Sequence, residues 1–89
     1  MKAFNINSNV LVKMKPKGFE IWKKHYDDIL PIDQQHPLSY YYKQVRDDGL
    51  FSFQLWDFIR IFGPHVEMGF DTPIETTIFF NDTDLRQAP

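Results

Sequence analysis

Cysteine is absent from this 89-residue chain, which excludes disulfides and thiolate metal sites and fits a reducing compartment. Glycine is scarce. Four dispersed residues supply neither a G-x-x-x-x-G-K nor a G-x-G-x-x-G phosphate cradle. No apolar run approaches a membrane span, and the opening Met1-Lys2-Ala3-Phe4-Asn5-Ile6-Asn7 has no apolar stretch of signal-peptide length. A cytoplasmic protein is therefore expected, and the Asn81-Asp82-Thr83 sequon carries no weight without a secretory signal.

Catalytic patterns are equally sparse. Ser8, Ser39 and Ser52 are the only serines, and none sits in a G-x-S-x-G setting. Ser52 reads as a strand or cap residue. His25, His36 and His65, with Asp27, Asp28 and Asp33 near them in sequence, show none of the usual ligand spacings, so neither a metal nor a cofactor is expected. Asp27 and Asp28 are adjacent on a helix and diverge by about 100°. Asp47 and Asp48 suit a turn for backbone reasons. The expectation is a protein that is not an enzyme. A pocket holding His25 or His65 beside a carboxylate would reopen the question.

What the chain has in abundance is aromatic residues, 17% in all: nine Phe, four Tyr and two Trp. Large rings bury much area each, which lets a short chain build a core. One domain spanning residues 1–89 is expected, with a stability margin on the order of 4–13 kcal/mol. The net charge of −2 conceals a division. Residues 1–24 carry six lysines against Glu20, whereas residues 25–89 carry four basic and eleven acidic groups.

Val10, Val12 and Met14 alternate with Leu11, Lys13 and Lys15 in the period-two pattern of a half-buried strand, closed by Pro16-Lys17-Gly18. Residues 19–30 read as an amphipathic helix with Phe19, Trp22, Tyr26, Ile29 and Leu30 on one face, stopped by Pro31. A polar connection follows. Residues 39–46 are rich in β-formers, Asp48-Gly49 suits a two-residue hairpin turn, and Leu50-Phe51-Ser52-Phe53 returns as the partner strand. Leu55, Phe58, Ile59 and Phe62 then define a second helix ended by Gly63-Pro64. Residues 65–73 read as loop, residues 74–80 as a last strand, and residues 81–89 as a polar, flexible tail. The order β-α-β-β-α-β predicts an α+β fold, two helices on one face of a small, mostly antiparallel sheet.

Two surfaces could serve a partner. Tyr40, Tyr41 and Tyr42 on one strand would put rings on both of its faces, Trp56 borders its helix's apolar side, and Phe79 opposes the inward set of the last strand. Exposed Tyr and Trp are enriched at interface hot spots, so these five are candidate protein-binding residues. The alternative is nucleic acid held by Lys13, Lys15, Lys17, Lys23 and Lys24, a phosphate-tracking set opposed by the acidic overall charge. The edge strand at 74–80 would also suit pairing with a second copy in a homodimer.

The strand ending in Lys13-Met14-Lys15-Pro16-Lys17-Gly18 leads into a helix with Trp22 and Tyr26. Further on comes Asp48-Gly49-Leu50-Phe51-Ser52-Phe53-Gln54-Leu55-Trp56, closing on Phe62-Gly63. This pair of segments resembles small uncharacterised proteins of bacteriophages and prophages of gut and Gram-positive bacteria, with their strand–Gly–helix opening and DG-x-x-x-FQLW…FG stretch. The resemblance covers about half the chain. It implies a phage accessory protein in a bacterial cytoplasm, binding a host or phage protein such as a component of a defence system, and it assigns no catalytic residue.

Overall fold

The computed structural model describes residues 1–66 and 72–87. Its centre is β2 (Asn9–Met14), where Val10 and Val12 are fully buried on one face. Antiparallel β3 (Phe51–Gln54) lies on one side of it, with Phe53 opposite Val10 and Phe51 opposite Val12. Antiparallel β4 (Ile74–Phe79) lies on the other side, with Ile78 opposite Val12 and a register shift between Val12 and Met14. Strict alternation in β3 puts Phe51 and Phe53 in the core and Ser52 and Gln54 outside, the behaviour of a strand covered on one face.

That face is covered by helices. α1 (Pro16–Asp27) begins with Pro at its first turn, where the missing N–H costs nothing. Phe19 and Trp22 carry its buried face, and both rings reach Phe51. Gly18 is required by proximity: a Cβ there would stand 2.2 Å from the Pro73 carbonyl oxygen and 2.4 Å from Met14 Sδ. The same Pro73 carbonyl accepts the Lys15 N–H at 3.0 Å, which pins the approach to β4 against the start of α1.

α1 ends three residues earlier than Pro31 alone would dictate. The Gln35 side chain donates to the carbonyls of Asp27 (3.1 Å) and Leu30 (3.2 Å), so the last turn is held by a side chain from the following loop. Ile29 is consequently exposed instead of continuing the apolar face.

The strand expected over residues 39–46 is absent. Leu38–Tyr42 forms a short helix, α2, preceded by Pro37. The β-forming tyrosines are overruled by tertiary contacts: Tyr41 turns inward and meets Trp22 edge-on, a placement worth more than strand propensity. The Asp48-Gly49 turn does form, with Gly49 at φ +83° and its N–H donating to the Arg46 carbonyl at 3.0 Å. It reverses the chain between the exit of α2 and β3, not between two strands.

α3 (Leu55–Phe62) follows β3 with no linker. Its first N–H groups are satisfied by backbone: Leu55 donates to the Ser8 carbonyl at 3.0 Å and Trp56 to that of Ile6 at 3.1 Å. Phe58, Ile61 and Phe62 complete the core. A single 3-10 turn at Gly63–His65 ends it.

The chain ends also pair. β1 (Lys2–Phe4) and β5 (Leu85–Gln87) form an antiparallel ribbon in a segment expected to be tail, and Phe4 stacks against Phe80 with centroids 5.0 Å apart. Among the described residues the order is thus β-β-α-α-β-α-β-β, an α+β fold with wholly antiparallel pairing. Residues 67–71 of the expected 65–73 loop and residues 88–89 of the expected tail lie outside the described part. No described helix is long and apolar enough to cross a membrane.

Candidate functional site

Trp22 and Tyr26 lie four residues apart on one side of α1, Leu30 follows beyond its end, and α2 lies across from them. Between them is a hollow of about 350 Å³. Tyr40 and Tyr41 of α2 close the far wall, His36 and Gln44 its ends. Tyr41 is 2% exposed and packs on Trp22 with centroids 5.0 Å apart. Tyr40 is 40% exposed and lies flat on the His36 imidazole, 3.8 Å between centroids at 13°. The Tyr40 and Tyr41 rings meet at 89°.

Polar groups fix this geometry. Lys23 Nζ donates to Asp27 Oδ2 at 2.6 Å and to the His36 carbonyl at 3.0 Å, tying the loop to α1. Asp27 Oδ1 is buried and has no hydrogen-bond partner among the described residues. Burial pushes the Tyr41 phenol above its ordinary pKa, with Asp27, Tyr40 and Tyr26 adding to the shift. Tyr26 is raised as well, first by burial and then by Asp57, while Arg60 pulls the other way.

A second hollow, about 200 Å³, opens between α1 and the end of α3. His25 and His65 both line it beside Asp28, Lys24 and Arg60. This is the juxtaposition that would reopen the enzymatic question. The Asp28 carboxylate is already bound by Lys24 at 3.1 Å, and among the described residues no Ser or Thr lines the hollow. His25 Nε2 is buried without a partner among the described residues. Among the described residues no group of three or more His, Asp or Glu could hold a metal.

The five candidate aromatic residues are not brought together. Tyr40 and Tyr41 line the first hollow, and Tyr42 packs on Phe19 with centroids 4.2 Å apart. Trp56, 41% exposed, lies on α3 beneath the Arg60 guanidinium at 5.2 Å. Phe79, 47% exposed, is in register with Leu11, which is itself buried, on the sheet face turned away from Val10 and Val12. The lysines disperse too. Lys13 faces Glu75 at 3.8 Å, Lys23 turns toward His36, and Lys24 toward the second hollow. Lys15 and Lys17 flank the start of α1.

Trp22, Tyr26, His36 and Gln44 were not singled out as site residues from sequence. Trp22 and Tyr26 carry helical spacing that reads as core; only the folding back of residues 36–44 reveals a cavity. No family model, curated protein or solved structure matches the chain.

Proposed function

We propose that this chain is a non-enzymatic binding module that recognises another protein through the ring-lined hollow between α1 and α2. The observation that carries the reading is the hollow itself: a preformed, mostly apolar concavity with a few polar groups, opening at the partly exposed Tyr40. Aromatic anchors that are already rigid lose little entropy on binding, which favours recognition. Ile29, Ile32 and Val45 are exposed and close in sequence to the lining residues. In the setting implied by the phage resemblance, the module acts in a bacterial cytoplasm on a host or phage protein, an inhibitor of a defence complex being one such role.

The nucleic-acid alternative is less favoured, because Lys13, Lys23 and Lys24 each face a carboxylate and point to different neighbours. The test is affinity capture from bacterial lysate at high salt with nuclease, using the wild type and Tyr40→Ala. A protein retained by the wild type and lost by the variant supports the reading. Equal retention by both contradicts it.

A further inference from the structure

Asp48-Gly49 is the only Asp-Gly pair in the chain, and there is no Asn-Gly pair. Such a pair can react within itself. The Gly49 amide nitrogen attacks Asp48 Cγ, and the displaced oxygen leaves as water with the amide proton and one proton from solvent. Water then reopens the cyclic imide. Opening at the Asp48 backbone carbonyl leaves the chain running through Cγ, an isoaspartyl linkage, so the net change is an isomerisation. No co-reactant beyond water is needed. Glycine favours the attack because it sets no side chain beside the nitrogen, and nothing lies within 4 Å of where a Cβ would stand at position 49.

The fold holds both reactants. The Gly49 N–H donates to the Arg46 carbonyl at 3.0 Å, so its proton is committed to another acceptor. Asp48 Oδ1 accepts the Leu50 N–H at 3.0 Å, and Oδ2 lies 3.1 Å from Arg46 Nη2. Both carboxylate oxygens are engaged, and neither is free to take the proton with which it would leave. The Arg46 N–H donates to the Leu50 carbonyl at 2.8 Å and closes the turn. Arg46 thus enters the latch three times, through its N–H, its carbonyl and its guanidinium.

We infer that Asp48 is a modification site, the place where this chain isomerises spontaneously, and that the folded turn and the Arg46 side chain hold the reaction in check. The inference rests on the turn and is independent of what the hollow binds. Its consequence falls on the sheet. Phe51 opens β3 two residues after Gly49 and stands in register with Val12, so an extra backbone carbon at residue 48 displaces the Arg46–Leu50 closure that leads into β3. Arg46 and Asp48 are both exposed, and exposed ion pairs contribute little, so the guanidinium accounts for about threefold of the protection and the backbone of the turn for the rest.

The test is to incubate the intact chain at neutral pH in native buffer and in guanidinium chloride, counting isoaspartate at residue 48 by mass spectrometry with electron-transfer fragmentation. Isoaspartate should accumulate about tenfold more slowly in the native chain than in the denatured one. Arg46→Gln leaves the backbone latch in place. It should isomerise about threefold faster than the wild type in native buffer and at the wild-type rate in guanidinium chloride. Arg46→Lys, which keeps a cation near Oδ2, should fall between, and circular dichroism checks that both variants are folded. The isomerised chain should unfold at a lower urea midpoint than the fresh chain. Equal rates in the native and denatured chain overturn the inference, as does a denatured chain that forms no isoaspartate at residue 48. An unchanged native rate in Arg46→Gln overturns the part given to the guanidinium, and an unchanged urea midpoint overturns the consequence for β3.

Discussion

Trp22 of α1 and Tyr41 of α2 meet edge to face, their ring centroids 5.0 Å apart at 63°. The contact joins core and site, because Trp22 also reaches Phe53 at 4.9 Å while both rings line the hollow. Trp22→Ala is expected to cost about 3–5 kcal/mol, a large part of the margin of a domain this small. Urea unfolding measures it. Trp22→Phe should lose clearly less, because a ring still fills the space.

Alkaline pH should unfold the protein through Tyr41 and Tyr26. Both phenols are raised above the ordinary value of 10.0, chiefly because burial disfavours the phenolate. The folded state therefore keeps protons that the unfolded chain releases, so their contribution is complete below about pH 10 and is lost as pH rises through the folded values. Phenolate absorbance and circular dichroism recorded together should show ionisation of these groups accompanying loss of fold. Tyr41→Phe should move that transition to higher pH.

Gly18 and Gly49 should respond to alanine for different reasons. Alanine is the better helix former by about 1 kcal/mol. At position 18, however, its Cβ would collide with the Pro73 carbonyl, so Gly18→Ala should be a net loss, with overpacking costing about 1–3 kcal/mol. At position 49 nothing lies within 4 Å, and the φ of +83° alone makes Gly49→Ala unfavourable by roughly 1–2 kcal/mol. Gly49→Asn should recover part of that. Thermal or urea midpoints distinguish the three variants.

The lysines provide a test of the less favoured surface. A variant with Lys13, Lys15, Lys17 and Lys24 all changed to Gln, leaving Lys23 on Asp27 and His36, should capture the partner as the wild type does. Pull-down at low and high salt checks this. Loss of capture in that variant would favour a phosphate-binding face.

The strands β2 and β3 and the helices α1 and α3 were legible as elements from alternation and 3/4 spacing, but their buried faces only in part. Leu11 is buried where alternation put it outside, Ile59 and Ile29 are exposed where spacing put them inside, and Ile61 takes a core place that spacing did not give it. The α2 segment was not, since three consecutive tyrosines carry β propensity and only the Trp22 contact makes a helix the better use of Tyr41. The β1 and β5 strands are three residues each, too short for any periodicity to show. For the site the difficulty is deeper. A stripe such as Trp22, Tyr26, Leu30 looks the same in sequence whether a neighbour fills its groove or leaves it open. Tyr40 and Tyr41 were identifiable as surplus aromatics, but the stacking of Tyr40 on His36 depends on the Lys23 and Gln35 hydrogen bonds that fold the loop back.

The most direct test of the hollow as a recognition site is photo-crosslinking in bacterial lysate, with p-benzoylphenylalanine placed at Tyr40 in one sample and at Phe79 in another. A discrete protein adduct formed from position 40 and not from position 79 is the expected result. An adduct from position 79 alone would contradict it, moving recognition to the sheet face that carries Phe79.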